Sequence, residues 1–430
     1  MTQPVAEAPT PAQAPFEPTA PRAEPVLERK PKAAPPPPPA PSSIRPGGFA
    51  ARSRALAQAL ATVAGVVPTR SPKPILHNVH VSVDPAGEHA LRGTNLEIAL
   101  TSHLLPDDVS APGPATLLLD PARLRLILSG GEDDWTTVEP DATAILIRRG
   151  KSRYRLPVED PEVYPEPQTL KADCTVVVAG AALRTAAALT GFATDVETTR
   201  YALGGVLVEA VKDARPGSES PDEVRLVGTD GRRLSRVVVA GQVGGTPPAA
   251  PVVPKATLDL IRRHAPADGD VELVFDGTRC LARCDRVDIW SRLVEGRFPR
   301  YQDVFPSSPV SKGAIAAGVL REAFERASIV TSDESRGVDA RFAADGTLAL
   351  IAESAEAGCG ETEAQVDGWD GPAQEVTLDP RYVLEYLKAL PDDALVHLKL
   401  IDEKTAVVLD AAAGPQGAST YVVMPLTKDR

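Results

Sequence analysis

The chain is poor in the residues that usually carry chemistry. Among its 430 residues are four cysteines, two methionines, three tryptophans and six histidines, and aromatics make up 4%. Cys280 and Cys284 stand close together, while Cys174 and Cys359 stand alone. That is neither zinc-ligand spacing nor a disulfide framework, so four reduced thiols and no metal are expected. No G-x-S-x-G elbow, no phosphate loop ending in Lys-Ser or Lys-Thr and no H-E-x-x-H helix occurs. His77 and His80 fall in a stretch that reads as strand, where they face opposite sides as ordinary surface histidines. No run approaches the ~20 apolar residues of a membrane helix. The first residues lack the basic start and apolar core of a secretory signal. A cytoplasmic protein with no membrane partner is expected. Basic charge is also short, with 46 Lys and Arg against 58 Asp and Glu, a net charge of −12. That balance argues against a protein that adheres to nucleic acid over its whole surface and leaves room only for a locally positive lining.

Proline is not scarce. Residues 1–49 hold 15 of the 43 prolines, including the run Pro35 to Pro39, and read as a disordered Pro/Ala-rich tail of polyproline character. Beyond it one pattern comes three times. A first kind of helix, apolar at period 3.6, is predicted near 52–67 (Leu56, Leu60, Val63), 179–190 (Leu183, Ala186, Ala187) and 317–330 (Leu320, Phe324, Ala327). A second kind follows a proline placed near the helix start, at Pro121, Pro254 and Pro380. Short strand-like runs lie between, among them 79–83, 144–147, 206–208, 224–227, 236–239, 271–274 and 406–409. Thr229-Asp230-Gly231 reads as a turn between two of them, and Glu353, Glu356, Glu361 and Glu363 as a solvated acidic loop. With no long parallel crossovers, the fold class is α+β: three tandem copies of one domain, two helices on antiparallel sheets. The boundaries expected are 50–170, 171–308 and 309–430.

Four strings then stand out. They are Pro74-Ile75-Leu76-x-Asn78 with Gly93-Thr94-Asn95-Leu96-Glu97-Ile98; Gly228-Thr229-Asp230-Gly231-Arg232-Arg233-Leu234; Arg292-Leu293-Val294-Glu295-Gly296-Arg297-Phe298-Pro299-Arg300-Tyr301; and Tyr421-Val422-Val423-Met424-Pro425-Leu426. In this order and spacing, over residues ~50 to 426, the chain resembles the bacterial DNA polymerase III beta sliding clamps. The resemblance implies a ring-shaped head-to-tail homodimer of two three-domain crescents, helices lining the hole. It implies a non-catalytic processivity factor without cofactor that encircles duplex DNA without sequence preference. Its implied partners are the replicative DNA polymerase, the clamp loader and other proteins bearing clamp-binding motifs.

Position by position, the resemblance implies DNA contacts at Arg70, Arg123, Arg200 and Tyr201, with Glu197 and Ala202 departing from the family pattern. It implies a partner-peptide pocket at Leu203, Thr229, Gly231, Arg233, Leu234, Pro299, Val304, Tyr382, Val422, Met424, Pro425 and Leu426, with Asp303 and Asp379 as departures. A dimer interface is implied at Ile329 and Val330, facing the basic run Arg148, Arg149, Lys151, Arg153 and Arg155, which suits the acidic Asp333 and Glu334. Two alternatives stay open on sequence: a clamp-like repair scaffold that binds partners without acting as the main replicative clamp, and an enzyme of nucleic-acid metabolism with an unrecognised site.

Overall fold

Among the described residues hydrophobic periodicity becomes six short α-helices: α1 (Ser53–Ala64), α2 (Pro121–Leu128), α3 (Gly180–Thr190), α4 (Lys255–His264), α5 (Ala317–Ala327) and α6 (Pro380–Lys388). The computed structural model describes residues 37–130, 134–166, 170–195, 202–212, 222–246, 250–306, 308–332, 337–414 and 417–427. Each helix buries its apolar stripe, as Leu56, Ala59, Leu60 and Val63 do in α1, and turns charge outward. Helices α2 and α6 open as expected, with Pro121 and Pro380 in the first turn. Asp120 and Asp379 cap them by accepting hydrogen bonds from backbone N–H groups of the first turn. Pro254 differs: it closes the strand Val252–Pro254 in extended conformation, and α4 starts only at Lys255.

All strand pairings among the described residues are antiparallel, and they obey one rule three times. In each copy a hairpin lies against the first helix. The hairpins are His89–Thr94 with Ile98–His103, Asp222–Thr229 with Arg233–Gly245, and Thr347–Ser354 with Gly358–Gln365. The outer strand of the first hairpin pairs with Val287–Arg292 of the next copy, and that of the second with Ala418–Val423 of the third. Two sheets therefore run unbroken across the two junctions. Among the described residues the third outer strand, Gly358–Gln365, ends its sheet without a further partner, and at the other end Ser152–Pro157 ends the first sheet likewise.

The Gly-Thr-Asx strings have a packing cause. A Cβ on Gly93 would sit 2.7 Å from the Val63 carbonyl oxygen of α1, and one on Gly228 would sit 2.4 Å from the Thr190 oxygen of α3. Only glycine lets each hairpin approach its helix so closely.

Three expectations change. Composition hides the start of the ordered body. Upstream of residue 49, Pro41–Ser43 form a 3-10 turn, Ile44 packs with Ala50 and Trp135, and Ser110 Oγ donates to the Pro39 carbonyl. The stretch 76–81 around the two histidines is not one strand: His77 closes the 3-10 turn Pro74–His77, the strand begins only at Val79, and His80 is buried, stacked 5.5 Å from the Tyr164 ring. Finally, Glu361 and Glu363 belong to the strand Gly358–Gln365, and Glu353 to Thr347–Ser354, so the acidic cluster is largely strand rather than loop.

Candidate functional site

At the second junction, Leu234 lies directly across from Val422, and Val422 from Val408. The turn that leads in is locked by its own side chains. Thr229 Oγ1 donates to the Arg233 carbonyl (2.6 Å) and accepts from Gly231 N (3.1 Å), while Asp230 Oδ1 accepts from the backbone N of Arg232 and Arg233. Gly231 takes the positive φ of 86° that this turn needs. The linker after Arg292 then crosses the sheet, and its Phe298 and Tyr301 join Leu234 and Val422 in one apolar cluster. Tyr301 fastens it by donating to Glu209 (2.7 Å), and burial helps push its hydroxyl pKa up to about 12. Pro299 and Val304 ride on this linker, with Val304 39% exposed; Met424, the residue just past the strand Ala418–Val423, is 41% exposed. A soft thioether and an aliphatic side chain thus stand open above a buried apolar floor, the arrangement that holds a short peptide by its anchors.

Arg233 joins the two copies. It pairs with Asp230 (2.9 Å) and Glu385 of α6, donates to the Phe192 carbonyl (2.8 Å) and lies 4.5 Å over the Tyr382 ring. Burial works against its charge, and its neighbours outweigh burial and raise its pKa. Glu385 had no signal in the sequence, because its partner lies far away in the chain.

The structure therefore gathers Thr229, Gly231, Arg233, Leu234, Tyr382 and Val422, with Pro299 and Val304 on the linker. Met424 N donates to the Arg232 carbonyl, and Leu426 N, just beyond Pro425, to the Thr377 carbonyl, so the segment lies along the third copy. Leu203 is buried, its carbonyl accepting from Asp195 N. Ala202 is a core residue packed in the Leu234 cluster, so a small side chain there answers to packing. Asp379 is the α6 cap and ion-pairs with Arg381 (2.7 Å). Asp303 is exposed on the linker.

The helices form a second feature. Together α1 to α6 carry eleven Lys and Arg against four Asp and Glu, in a chain whose net charge is −12. They meet across both junctions: residues of α1 and the end of α4 line one cleft, and α3, α4 and α6 another. Arg123 lies exposed on α2, 3.5 Å from Asp120, and Arg70 is exposed in the loop after α1. Arg200, Tyr201 and Glu197 lie outside the described residues, as do Asp333 and Glu334. Ile329 is 77% exposed, Val330 packs against the core, and Arg153 lies on the terminal strand Ser152–Pro157.

Comparison with known proteins agrees with this architecture. The family model for the DNA polymerase III beta subunit central domain matches residues 177–300, and that for its C-terminal domain matches residues 302–427. The beta sliding clamp of Pseudomonas putida is 29% identical over 381 residues, 88% of this chain and 99% of that protein. The Escherichia coli K12 beta sliding clamp is 28% identical over 382 residues, with the same coverage of each chain. A crystal structure of the Pseudomonas aeruginosa DNA polymerase sliding clamp superposes with TM-score 0.79 at 26% identity, covering 89% of this chain and all of that one. The family models together span more than half of the residues, and the chain belongs to the DNA polymerase III beta subunit family, the beta sliding clamps.

Proposed function

We propose that this chain closes into a head-to-tail ring of two copies that encircles duplex DNA and tethers the replicative polymerase. It acts by topology and performs no reaction. The observation that carries this reading is the charge partition: the six helices carry eleven Lys and Arg against four Asp and Glu and meet across both junctions, while the chain as a whole is acidic. A basic lining holds phosphates without reading bases, which permits sliding, and an acidic exterior repels stray DNA. Arg70 and Arg123 fit this role, with Arg200 and Tyr201 in the same reading.

Closure follows from the strand rule. Where the first two hairpins find a partner strand in the next copy, the third has none among the described residues, and Ser152–Pro157 is an edge strand of matching type. Pairing the two between chains completes the pattern, with Arg153 and Arg155 facing Glu361 and Glu363 and Ile329 beside Val330 near the seam. The Leu234, Val422 and Met424 cleft then serves as the docking pocket for linear motifs of the polymerase, the clamp loader and other partners.

The test is topological. The chain is loaded onto nicked circular DNA by a bacterial clamp loader with ATP and separated by gel filtration. It is expected to co-elute with the circle and to be released when the circle is cut once. Retention on the linear product would mean ordinary binding, and the encirclement reading would fall.

A further inference from the structure

The first junction is built in the same register as the second. The turn Thr94-Asn95-Leu96-Glu97-Ile98 repeats the bonds of Thr229-Asp230-Gly231-Arg232-Arg233: Thr94 Oγ1 donates to the carbonyl four residues on and accepts from Leu96 N, and Asn95 Oδ1 accepts from the N of Glu97 and Ile98. Across the sheet Ala99 faces Trp290, as Leu234 faces Val422. Arg292 N donates to the Glu97 carbonyl, as Met424 N donates to that of Arg232. Even the overlying linkers match, Tyr164-Pro165 standing for Phe298-Pro299. Between them lies a cleft of about 270 Å³ whose lining includes Leu96, Ala99, Pro165, Trp290 and Arg292.

Its chemistry, however, is different. Ala99 makes room where Leu234 fills it, and the indole of Trp290 replaces the isopropyl of Val422. Arg292 stands where the pocket has Met424, Arg92 and Arg279 add guanidinium groups, and Glu97 and Glu166 complete the charged lining. Arg279 is paired with Asp276, whereas Arg92 Nε is buried without a hydrogen-bond partner. Leu96, at the position of Gly231, holds a φ of 78° with its side chain 43% exposed at the mouth. A leucine is strained there, and such strain gathers where a side chain is needed for contact.

From this quasi-equivalence we infer that the first junction is a second docking cleft, for an acidic linear segment of a partner protein bearing an apolar or aromatic anchor. The anchor lies on Trp290 and Leu96, and flanking carboxylates meet Arg292 and Arg92. The inference rests on the reading of the Leu234 and Met424 cleft as a peptide pocket.

The test uses two fluorescein-labelled peptides on the full chain, Glu-Asp-Leu-Phe-Asp-Glu and Gln-Leu-Ser-Leu-Phe, read by anisotropy. The acidic peptide is expected to saturate, to weaken at least about fivefold in Trp290→Ala and in Arg292→Glu, and to bind Met424→Ala unchanged. The second peptide is expected to show the reverse pattern, and each variant's thermal melt must match the parent's. If the acidic peptide fails to saturate on a chain that binds the second peptide, or loses binding in Met424→Ala alone, the second cleft is overturned and the first pocket stands. If the second peptide alone fails, it is the pocket reading that falls.

Discussion

Met424 and Leu234 sit in one candidate pocket yet carry different burdens. Leu234 is 2% exposed and packs with Phe298 and Tyr301, so Leu234→Ala opens a cavity and costs about 2–5 kcal/mol of stability as well as any ligand contact. Met424 is half open, and its truncation leaves the core intact. Met424→Ala is therefore expected to lower affinity for the Gln-Leu-Ser-Leu-Phe peptide about tenfold with an unchanged melting curve, while Leu234→Ala lowers both. Equal loss of melting temperature in the two would show that Met424 is core. The identity of these residues was legible from the string they occupy. Their different burial was not, because it depends on a linker that reaches them from elsewhere in the chain.

At the scale of elements, the first junction carries a titratable fastener. His103 ends the strand Ile98–His103; its Nδ1 pairs with Glu88 and its Nε2 lies 3.4 Å from Asp288 on the strand across the junction. The hydrogen bond to Asp288 is the main cause raising the His103 pKa, aided by Glu88 and opposed by burial and by Arg92. A raised value means that folding favours the imidazolium. Its contribution is complete below the unfolded pKa near 6.5 and is lost as pH rises through the folded value. His103→Ala is thus expected to lower the melting temperature more at about pH 6 than at about pH 9, by scanning calorimetry; a larger effect at high pH would exclude the ion-paired histidine. The helices were readable from period and proline position, since those signals are local. Pairing across the junctions was not, because strands matched in space lie far apart in sequence. The second cleft escaped for a sharper reason: Ala99, Trp290 and Arg292 share no residue type with Leu234, Val422 and Met424, and only the register relates them.

For the whole molecule, the two terminal strands should set the oligomeric state. Reversing Arg153 and Arg155 to Glu is expected to weaken dimerisation at least about tenfold by sedimentation, and reversing Glu361 and Glu363 to Arg in the same chain to restore much of it. A double reversal no better than the single one would place the seam elsewhere. The unbroken sheets across the internal junctions then bear on how such a ring breaks. Inside the chain both joints are backbone ladders, the second reinforced by the buried Arg233 and Leu234, whereas the proposed joints between two copies would rest on exposed strands. The proposed ring would behave like a bracelet of two continuous arcs with two clasps. Mechanical load collects at the clasps, and a machine that must admit DNA has only to spring one of them while the arcs keep their shape.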